Sequence, residues 1–256
     1  MVTLENSKPI VKLEEVSVYY RFATDRPTSM KEFVIRTLKR QIERQTVKAL
    51  NGVSLEVYKG EAFGVIGRNG AGKSTLLKAL ARIIRPTHGR IRIWGPVTSL
   101  LSVGAGFSHE LTGRENIFLY SALLGRSRSQ TESLFENITS FAELNDFIDA
   151  PLRTYSTGMV ARLGFAVAMA DRPEILLVDE VLGVGDTYFQ EKCMMKFHEY
   201  RENGTTLILV SHNLPQVVQN CETSIWLHNG VTKSYGHPTK VAADYERYQN
   251  TISSQY

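Results

Sequence analysis

The residues with the clearest chemical potential lie in GRNGAGKS, Gly67 to Ser74. The segment fits the pattern G-x-x-x-x-G-K-[ST], whose glycines let backbone N–H groups curl around phosphate oxygens. Lys73 supplies a cation for the β- and γ-phosphates, and Ser74 offers Mg²⁺ a hydroxyl oxygen. A structural glycine turn is the alternative, but a strand pattern precedes the segment and a helix pattern follows it. We therefore predict a nucleoside triphosphate site at Gly67, Arg68, Asn69, Gly70, Ala71, Gly72, Lys73, Ser74 and Thr75.

Acidic residues follow a second buried strand pattern, EILLVDE, which ends in Asp179 and Glu180. The carboxyl ends of parallel strands are where α/β proteins meet their ligands. Beside a phosphate loop, Asp179 can hold Mg²⁺ and Glu180 can orient and polarise the attacking water. Glu180 can instead be an ordinary acid at a loop or helix start. His212 follows a third apolar strand, LILVS, where an imidazole either contacts the γ-phosphate or stays a surface residue.

A third segment, RTYSTGMVARLGFAVAMA, begins a helix of small apolar residues with Ser156, Thr157 and Gly158. Taken alone, Ser156 is best explained as the N-cap of its helix, with Gly158 easing the packing. A serine hydroxyl and exposed N–H groups at a helix start can also bind phosphate oxygens. The segment lies far downstream of a phosphate loop that already has its own serine and glycines.

Strand and helix patterns alternate along the chain, which favours an α/β fold with a largely parallel sheet and helices on both faces. We place the core at roughly 1–105 and 172–236, a helical subdomain at roughly 106–171 and a helical tail at 237–256. An amphipathic helix is predicted within an insertion at roughly 28–46. Its basic residues suit either a membrane or partner surface, or a solvated helix packed on its own domain.

Composition sets the limits on these predictions. The 256 residues are 43% hydrophobic and 22% charged, as in a soluble globular protein, and the net charge of +4 identifies no partner by itself. Cys193 and Cys221 are the only cysteines and have no metal-ligand spacing, which favours a reducing compartment and buried thiols. No secretion signal is visible, and the apolar runs fall short of the roughly 18 residues of a membrane span.

In this order, GRNGAGKST, YSTGM, ILLVDE, VGD and SHN resemble the nucleotide-binding subunit of an ABC transporter across nearly the whole chain. The resemblance implies a single ABC ATPase domain over 1–256. Its fold would be a P-loop NTPase (RecA-like) core with a mostly parallel sheet, an antiparallel β-subdomain and an inserted α-helical subdomain. It also implies ATP and Mg²⁺ as cofactors, with Lys73, Glu180 and His212 as catalytic residues and Ser74 and Asp179 as magnesium ligands.

The resemblance answers why YSTGM lies so far from the phosphate loop. In this family the signature helix of one cassette completes the phosphate site of a second cassette. Ser156 and Gly158 match the family's LSGGQ, whereas Thr157 and Met159 depart from it. The signature acting in trans is therefore Tyr155, Ser156, Thr157, Gly158 and Met159, and Asp186 resembles the residue that links the two sites across the dimer.

Two further family positions are less well defined. The aromatic residue that stacks on adenine is best matched by Tyr20, with Tyr19 second, although either can be a buried strand aromatic. The family's glutamine before the helical subdomain has no counterpart between Thr98 and Thr112, and Ser102 or His109 are its candidate replacements.

The insertion, GAGFSHELTGRENI, YSTGM and DEVLGVGD resemble the ABC subfamily that exports O-antigen, capsule and teichoic-acid chains. This resemblance implies three partners: a second copy of the chain, an integral-membrane permease and, indirectly, a lipid-linked glycan. It also implies a peripheral position at the cytoplasmic face of the cell membrane, and no nucleic-acid partner. The alternatives are a soluble ABC-type ATPase acting on nucleic acid or ribosomes, and a small-molecule phosphotransferase, which would leave YSTGM and His212 unexplained.

Overall fold

The structure, a computed structural model, describes residues 8–23, 44–101, 103–179 and 186–253. The predicted α/β pattern is confirmed. The strands are β1 Val11–Ala23, β2 Arg44–Val57, β3 Ala62–Ile66, β4 His88–Ile93, β5 Val97–Ser99, β6 Ile175–Val178, β7 Thr206–Val210, β8 Thr223–His228 and β9 Val231–Gly236. The α-helices are α1 Lys73–Leu80, α2 Gly113–Leu123, α3 Arg128–Ala142, α4 Thr157–Ala168, α5 Thr187–Glu202, α6 Leu214–Asn220 and α7 Pro238–Ser253.

The strands form two sheets. The larger has the order β5-β6-β7-β3-β8-β9 and is parallel except for the β8–β9 hairpin. The smaller is antiparallel, with the order β2-β1-β4. The larger sheet is buried on both faces: Phe63 and Val65 pack toward the smaller sheet and α1, whereas Ile66 packs toward the helices. This double burial explains why its central strands are continuous apolar runs.

One predicted boundary is wrong. Residues 44–46, which the sequence pattern assigns to the helical insertion, belong to β2 and pair with Arg21, Phe22 and Ala23 of β1. Backbone hydrogen bonds to β1 extend this ladder into a polar stretch that carries no apolar alternation, so the sequence pattern gives no sign of it. The rest of the predicted insertion, 28–43, lies outside the described residues.

Helices α2, α3 and α4 fall between β5 and β6 in the chain, within the range that we expected for the helical subdomain. Capping boxes fix where two of them begin. Thr112 and Glu115 exchange side-chain-to-backbone hydrogen bonds at the start of α2, as do Ser127 and Gln130 at the start of α3. Among the described residues, no helix is both long enough and apolar enough to cross a bilayer.

Helix α7 packs against the hairpin strand β8 through an aromatic cluster of Trp226, Tyr245 and Tyr248. The Trp226 ring centroid lies 5.5 Å from that of Tyr245 and 5.2 Å from that of Tyr248. The Tyr248 hydroxyl is 3.2 Å from Nε2 of His228 at the end of β8. The tail helix is therefore attached to the strand that leads into the β8–β9 turn.

Both cysteines are buried, as expected from the sequence. Burial raises the pKa of the Cys193 and Cys221 thiols to about 12, so neither is a thiolate near neutral pH. They act as small apolar residues of the core.

Candidate nucleotide-binding site

The phosphate loop connects the buried strand β3 to helix α1 and passes close to β2. Gly72 is the N-cap of α1 and has a left-handed φ of 107°. A Cβ atom at Gly72 would lie 2.5 Å from the Ala49 carbonyl oxygen, so only glycine fits this contact. The close approach to β2 thus fixes the conformation in which the loop presents its N–H groups.

Lys73 is held over the loop that it follows. Its side chain is buried, and Nζ donates to the carbonyl oxygens of Gly67 at 2.7 Å and Arg68 at 3.4 Å. Ser74, next along the helix, is exposed, and Thr75 is half-buried. The ammonium group is therefore already oriented at the centre of the loop, where phosphate oxygens would meet it.

A cavity of about 650 Å³ covers this loop, and Asp179 lines it together with Lys73 and Ser74. The structure therefore brings the phosphate loop and the first acid of ILLVDE together, as predicted. A serine hydroxyl and a carboxylate are the hard oxygen donors that Mg²⁺ takes beside phosphate oxygens, so the pair fits this ion. Glu180 lies outside the described residues. The cavity is lined by Val47, Lys48, Ala49, Arg68, Asn69, Gly70, Ala71, Gly72, Lys73, Ser74, Thr75, Asp179 and Asn229.

His212 lies at the same edge of the sheet but does not line this cavity. It is exposed and follows β7, the neighbour of β3. The preceding Ser211 donates its backbone N–H to Val65 of β3 at 3.3 Å, and its hydroxyl donates to Gln216 of α6 at 2.8 Å. These two bonds hold the His212 backbone beside the phosphate loop. Its predicted contact with a γ-phosphate stays a prediction.

The two candidate adenine-stacking residues have different surroundings. The Tyr19 hydroxyl donates to Asn51 at 3.1 Å, and its ring packs edge-on against His88. Tyr20 is half-buried and lies opposite Val47 on the neighbouring strand, and Val47 lines the phosphate-loop cavity. This arrangement favours Tyr20 over Tyr19 as the residue that would stack on a base.

The YSTGM segment lines a different cavity, of about 690 Å³, which we call the signature cavity. Ser156 is the N-cap of α4 and accepts a hydrogen bond from the Met159 N–H at 3.1 Å, but it remains exposed, as does Thr157. Capping uses one lone pair of the hydroxyl and leaves its O–H available. The cap and the phosphate contact are therefore compatible. The signature cavity is lined by Glu143, Leu144, Phe147, Ser156, Thr157, Gly158, Met159, Ala161, Arg162 and Asp186.

Tyr155 supports the signature cavity from beside it. Its hydroxyl donates to the Phe147 carbonyl oxygen at 2.6 Å. Burial, with a smaller effect of the Asp149 charge, raises the pKa of the Tyr155 phenol, so it stays a neutral donor. The family's leucine could not make this hydrogen bond.

A charged network that the sequence analysis missed joins the signature helix to Asp186. Arg162 of α4 is ion-paired with Asp186 and lies 3.3 Å from Glu143, which in turn binds Lys192 at 3.0 Å. Asp186 also caps α5 by accepting the Phe189 N–H at 2.9 Å. The only sequence signal was an arginine within an otherwise apolar helix. Asp186 thus contacts the signature helix of its own chain.

The candidates for the missing glutamine stay predictions. Ser102 lies outside the described residues. His109 has an exposed side chain, and its carbonyl oxygen accepts a hydrogen bond from the Arg153 N–H at 3.0 Å.

The phosphate loop follows the central parallel strand β3, and Asp179 follows β6, which lies two strands away in the sheet. This arrangement defines a P-loop nucleoside triphosphatase fold. The profile described as "ABC transporter" matches residues 50–183. The chain is 39% identical, over 94% of its length, to "O-antigen export system ATP-binding protein RfbB" of Klebsiella pneumoniae, of which it covers 98%. The chain therefore belongs to the ABC transporter family.

Other relatives are longer than this chain. It is 40% identical to the protein of the same name from Myxococcus xanthus over 98% of the chain, but covers 59% of that protein. It is 42% identical to "Teichoic acids export ATP-binding protein TagH" of Enterococcus faecalis over 79% of the chain, and covers 45% of it.

Solved structures confirm the fold. "Structure of ATP binding subunit of ABC transporter" matches with a TM-score of 0.70 at 21% identity and covers 93% of each chain. The dimeric post-hydrolysis cassette MJ0796, bound to ADP and Pi, matches with a TM-score of 0.68 at 22% identity, over 89% of this chain and 98% of the other.

Proposed function

We propose that the chain binds and hydrolyses ATP as one half of a homodimer in which each phosphate loop faces the signature segment of the other copy. One observation carries the proposal: Lys73 and Ser156 line separate cavities of one chain. Two copies arranged head to tail would place the signature cavity of each against the phosphate-loop cavity of its partner. The likeness to a dimeric cassette at the level of the fold supports the same arrangement.

Hydrolysis in such a site depends on positioning and charge rather than on a covalent intermediate. Lys73 binds the β- and γ-phosphates, and Ser74 and Asp179 hold Mg²⁺, which neutralises developing charge when it is bound. Glu180 orients and polarises the attacking water, and His212 stabilises the γ-phosphate. Tyr20 stacks on the base.

Closure of the dimer supplies the coupling to transport. Ser156 and the N–H groups at the start of α4 bind γ-phosphate oxygens of the partner's nucleotide. Hydrogen bonds to charged groups contribute about 1.5–3 kcal/mol each, and these are lost when the phosphate leaves. Asp186 connects the two sites across the interface.

Two inactivating substitutions test the composite site. Lys73→Ala removes the phosphate-loop cation, and Ser156→Arg places a bulky side chain in the signature cavity. We expect each variant alone to lose ATP turnover, and a mixture of the two to regain part of it. In mixed dimers, one site pairs the intact loop of Ser156→Arg with the intact signature of Lys73→Ala. Phosphate release at increasing protein concentration is the measurement.

The control is the ATP affinity of the Ser156→Arg protomer, which should equal that of the wild type. Full turnover by Ser156→Arg, or a mixture as inactive as its components, would contradict the composite site.

We further propose that this ATPase powers export of a lipid-linked polysaccharide through an integral-membrane permease at the cytoplasmic face of the membrane. The names of the RfbB and TagH relatives, as O-antigen and teichoic acid export proteins, support this cargo, as do the subfamily-like segments quoted above. Deleting the gene for this chain should remove surface polysaccharide. Expression of the wild-type protein should restore it, whereas expression of Lys73→Ala should not. Unchanged polysaccharide, together with ATPase activity stimulated by nucleic acid, would favour the alternative of a soluble ABC-type ATPase.

A further inference from the structure

The β8–β9 turn is a third strand end beside the phosphate loop, and the mechanism above gives it no role. In the order β6-β7-β3-β8, Asp179 and His212 follow the two strands on one side of β3. On the other side, β8 ends at His228 and is followed by Asn229 and Gly230. Asn229 lines the phosphate-loop cavity. A polar side chain therefore flanks the loop on the side away from Asp179.

The conformation of this turn is fixed by its sequence. Asn229 has φ 49° and Gly230 has φ 77°, and they connect the paired residues His228 and Val231. Two successive left-handed residues make the hairpin turn for which Asn-Gly is the preferred pair. Asn229 is exposed at the tip. Its side chain is thus presented from a rigid two-residue turn.

The turn is also attached to the phosphate loop. The Gly230 N–H donates to the Ala71 carbonyl oxygen at 2.9 Å, and the Gly230 carbonyl accepts the Asn51 N–H at 2.8 Å. A Cβ atom on Gly230 would lie 2.7 Å from the Ala49 carbonyl oxygen, so the turn fits closely between the loop and β2. The position of Asn229 relative to the phosphate loop is therefore set by backbone contacts.

The topology indicates which part of a nucleotide would pass Asn229. Terminal phosphates and Mg²⁺ belong on the Asp179 side of the loop, and the base belongs near Tyr20 and its partner Val47. Asn229 shares the cavity with Val47 and lies across β3 from Asp179. A nucleotide that runs between these two ends passes Asn229 with its α-phosphate and ribose.

We propose that Asn229 is a further nucleotide-binding residue, whose side-chain amide contacts the ribose of the nucleotide beside its α-phosphate. Either end of the amide can form this bond: the carbonyl oxygen can accept from a ribose hydroxyl, or the NH₂ group can donate to a ribose oxygen. The inference rests on the proposed ATP site, but does not depend on the dimer or on the transported cargo.

The test compares ATP with tripolyphosphate, which has the phosphate chain but no ribose or base. Asn229→Gly is compatible with the left-handed turn and removes the side chain that carries the amide. We expect ATP binding to the variant to weaken about three- to tenfold, the loss typical of one hydrogen bond, with tripolyphosphate binding unchanged. Asn229→Asp should weaken ATP binding further, and added salt should reduce that loss. Titration calorimetry with Mg²⁺ measures each of these affinities.

The control is Asn203→Gly, the same change at the exposed Asn-Gly pair between α5 and β7, where the asparagine has φ −85°. It should bind both ligands like the wild type. Wild-type ATP affinity in Asn229→Gly would overturn the contact. Equal losses for ATP and tripolyphosphate would also overturn it, since the turn would then act only on the shape of the loop. A wild-type protein that binds neither ligand would overturn the proposed function and this contact with it.

Discussion

At the scale of single residues, the phosphate loop is constrained by its protein neighbours as well as by its ligand. That Lys73, Ser74 and Asp179 meet at one cavity could be predicted, because phosphate and magnesium chemistry demands those residue types at those spacings. The presence of Asn229 at the same cavity could not be predicted, because an Asn-Gly pair signals only a turn. Its place beside the loop follows from β8 lying next to β3, a pairing that the local sequence does not encode.

Gly72→Ala tests whether the close contact between the phosphate loop and β2 holds the loop in its ATP-binding conformation. The new Cβ would meet the Ala49 carbonyl oxygen at 2.5 Å, and the left-handed φ adds about 1–2 kcal/mol of strain. We expect ATP binding to be lost and the melting temperature to fall. Gly204→Ala is the control, because Gly204 has φ 82° but open space around it. It should be destabilised by the backbone strain alone, and therefore less than Gly72→Ala, and still bind ATP. Loss of ATP binding in both variants would contradict a local effect on the loop.

At the scale of elements, the ion pairs of Arg162 connect α4 to the start of α5. The sequence predicted the start of α4 and its cap Ser156, but it singled out Asp186 only through its resemblance to a residue that links the two sites of a dimer. It did not predict the pairing, because Glu143, Arg162 and Asp186 are distant in sequence and meet only when the helices pack. The same limit applies to residues 44–46, whose strand is set by pairing with β1.

Arg162→Ala tests whether the ion pairs that connect α4 to Asp186 matter for ATP turnover rather than for stability. Arg162 is mostly buried, but its partners are more exposed, so we expect the free energy of unfolding to fall by about 1 kcal/mol or less. Turnover should fall about tenfold or more, because the signature helix and Asp186 lose their fixed relation, while ATP affinity of the protomer stays unchanged. Arg128→Ala, which removes an exposed ion pair with Glu132 in α3, is the control. Unaltered turnover in Arg162→Ala would refute the coupling.

At the scale of the whole molecule, the sequence predicted the fold class because doubly buried strands and amphipathic helices leave different patterns. It also suggested, through family resemblance, that the chemistry is divided between two copies. The structure agrees with this division, because the phosphate loop and the signature segment line separate cavities of one chain. What no single chain contains is the interface itself, and the mixed-variant experiment addresses it directly.

The aromatic cluster under α7 has an optical consequence. The chain has two tryptophans. Trp226 is 6% exposed beneath the tail helix, whereas Trp94 is 51% exposed. Trp226 is thus shielded from soluble quenchers, whereas Trp94 is open to them. Trp226 also lies on β8, the strand that ends at the phosphate-loop cavity. Intrinsic fluorescence can therefore follow the tail helix and its strand without any attached dye.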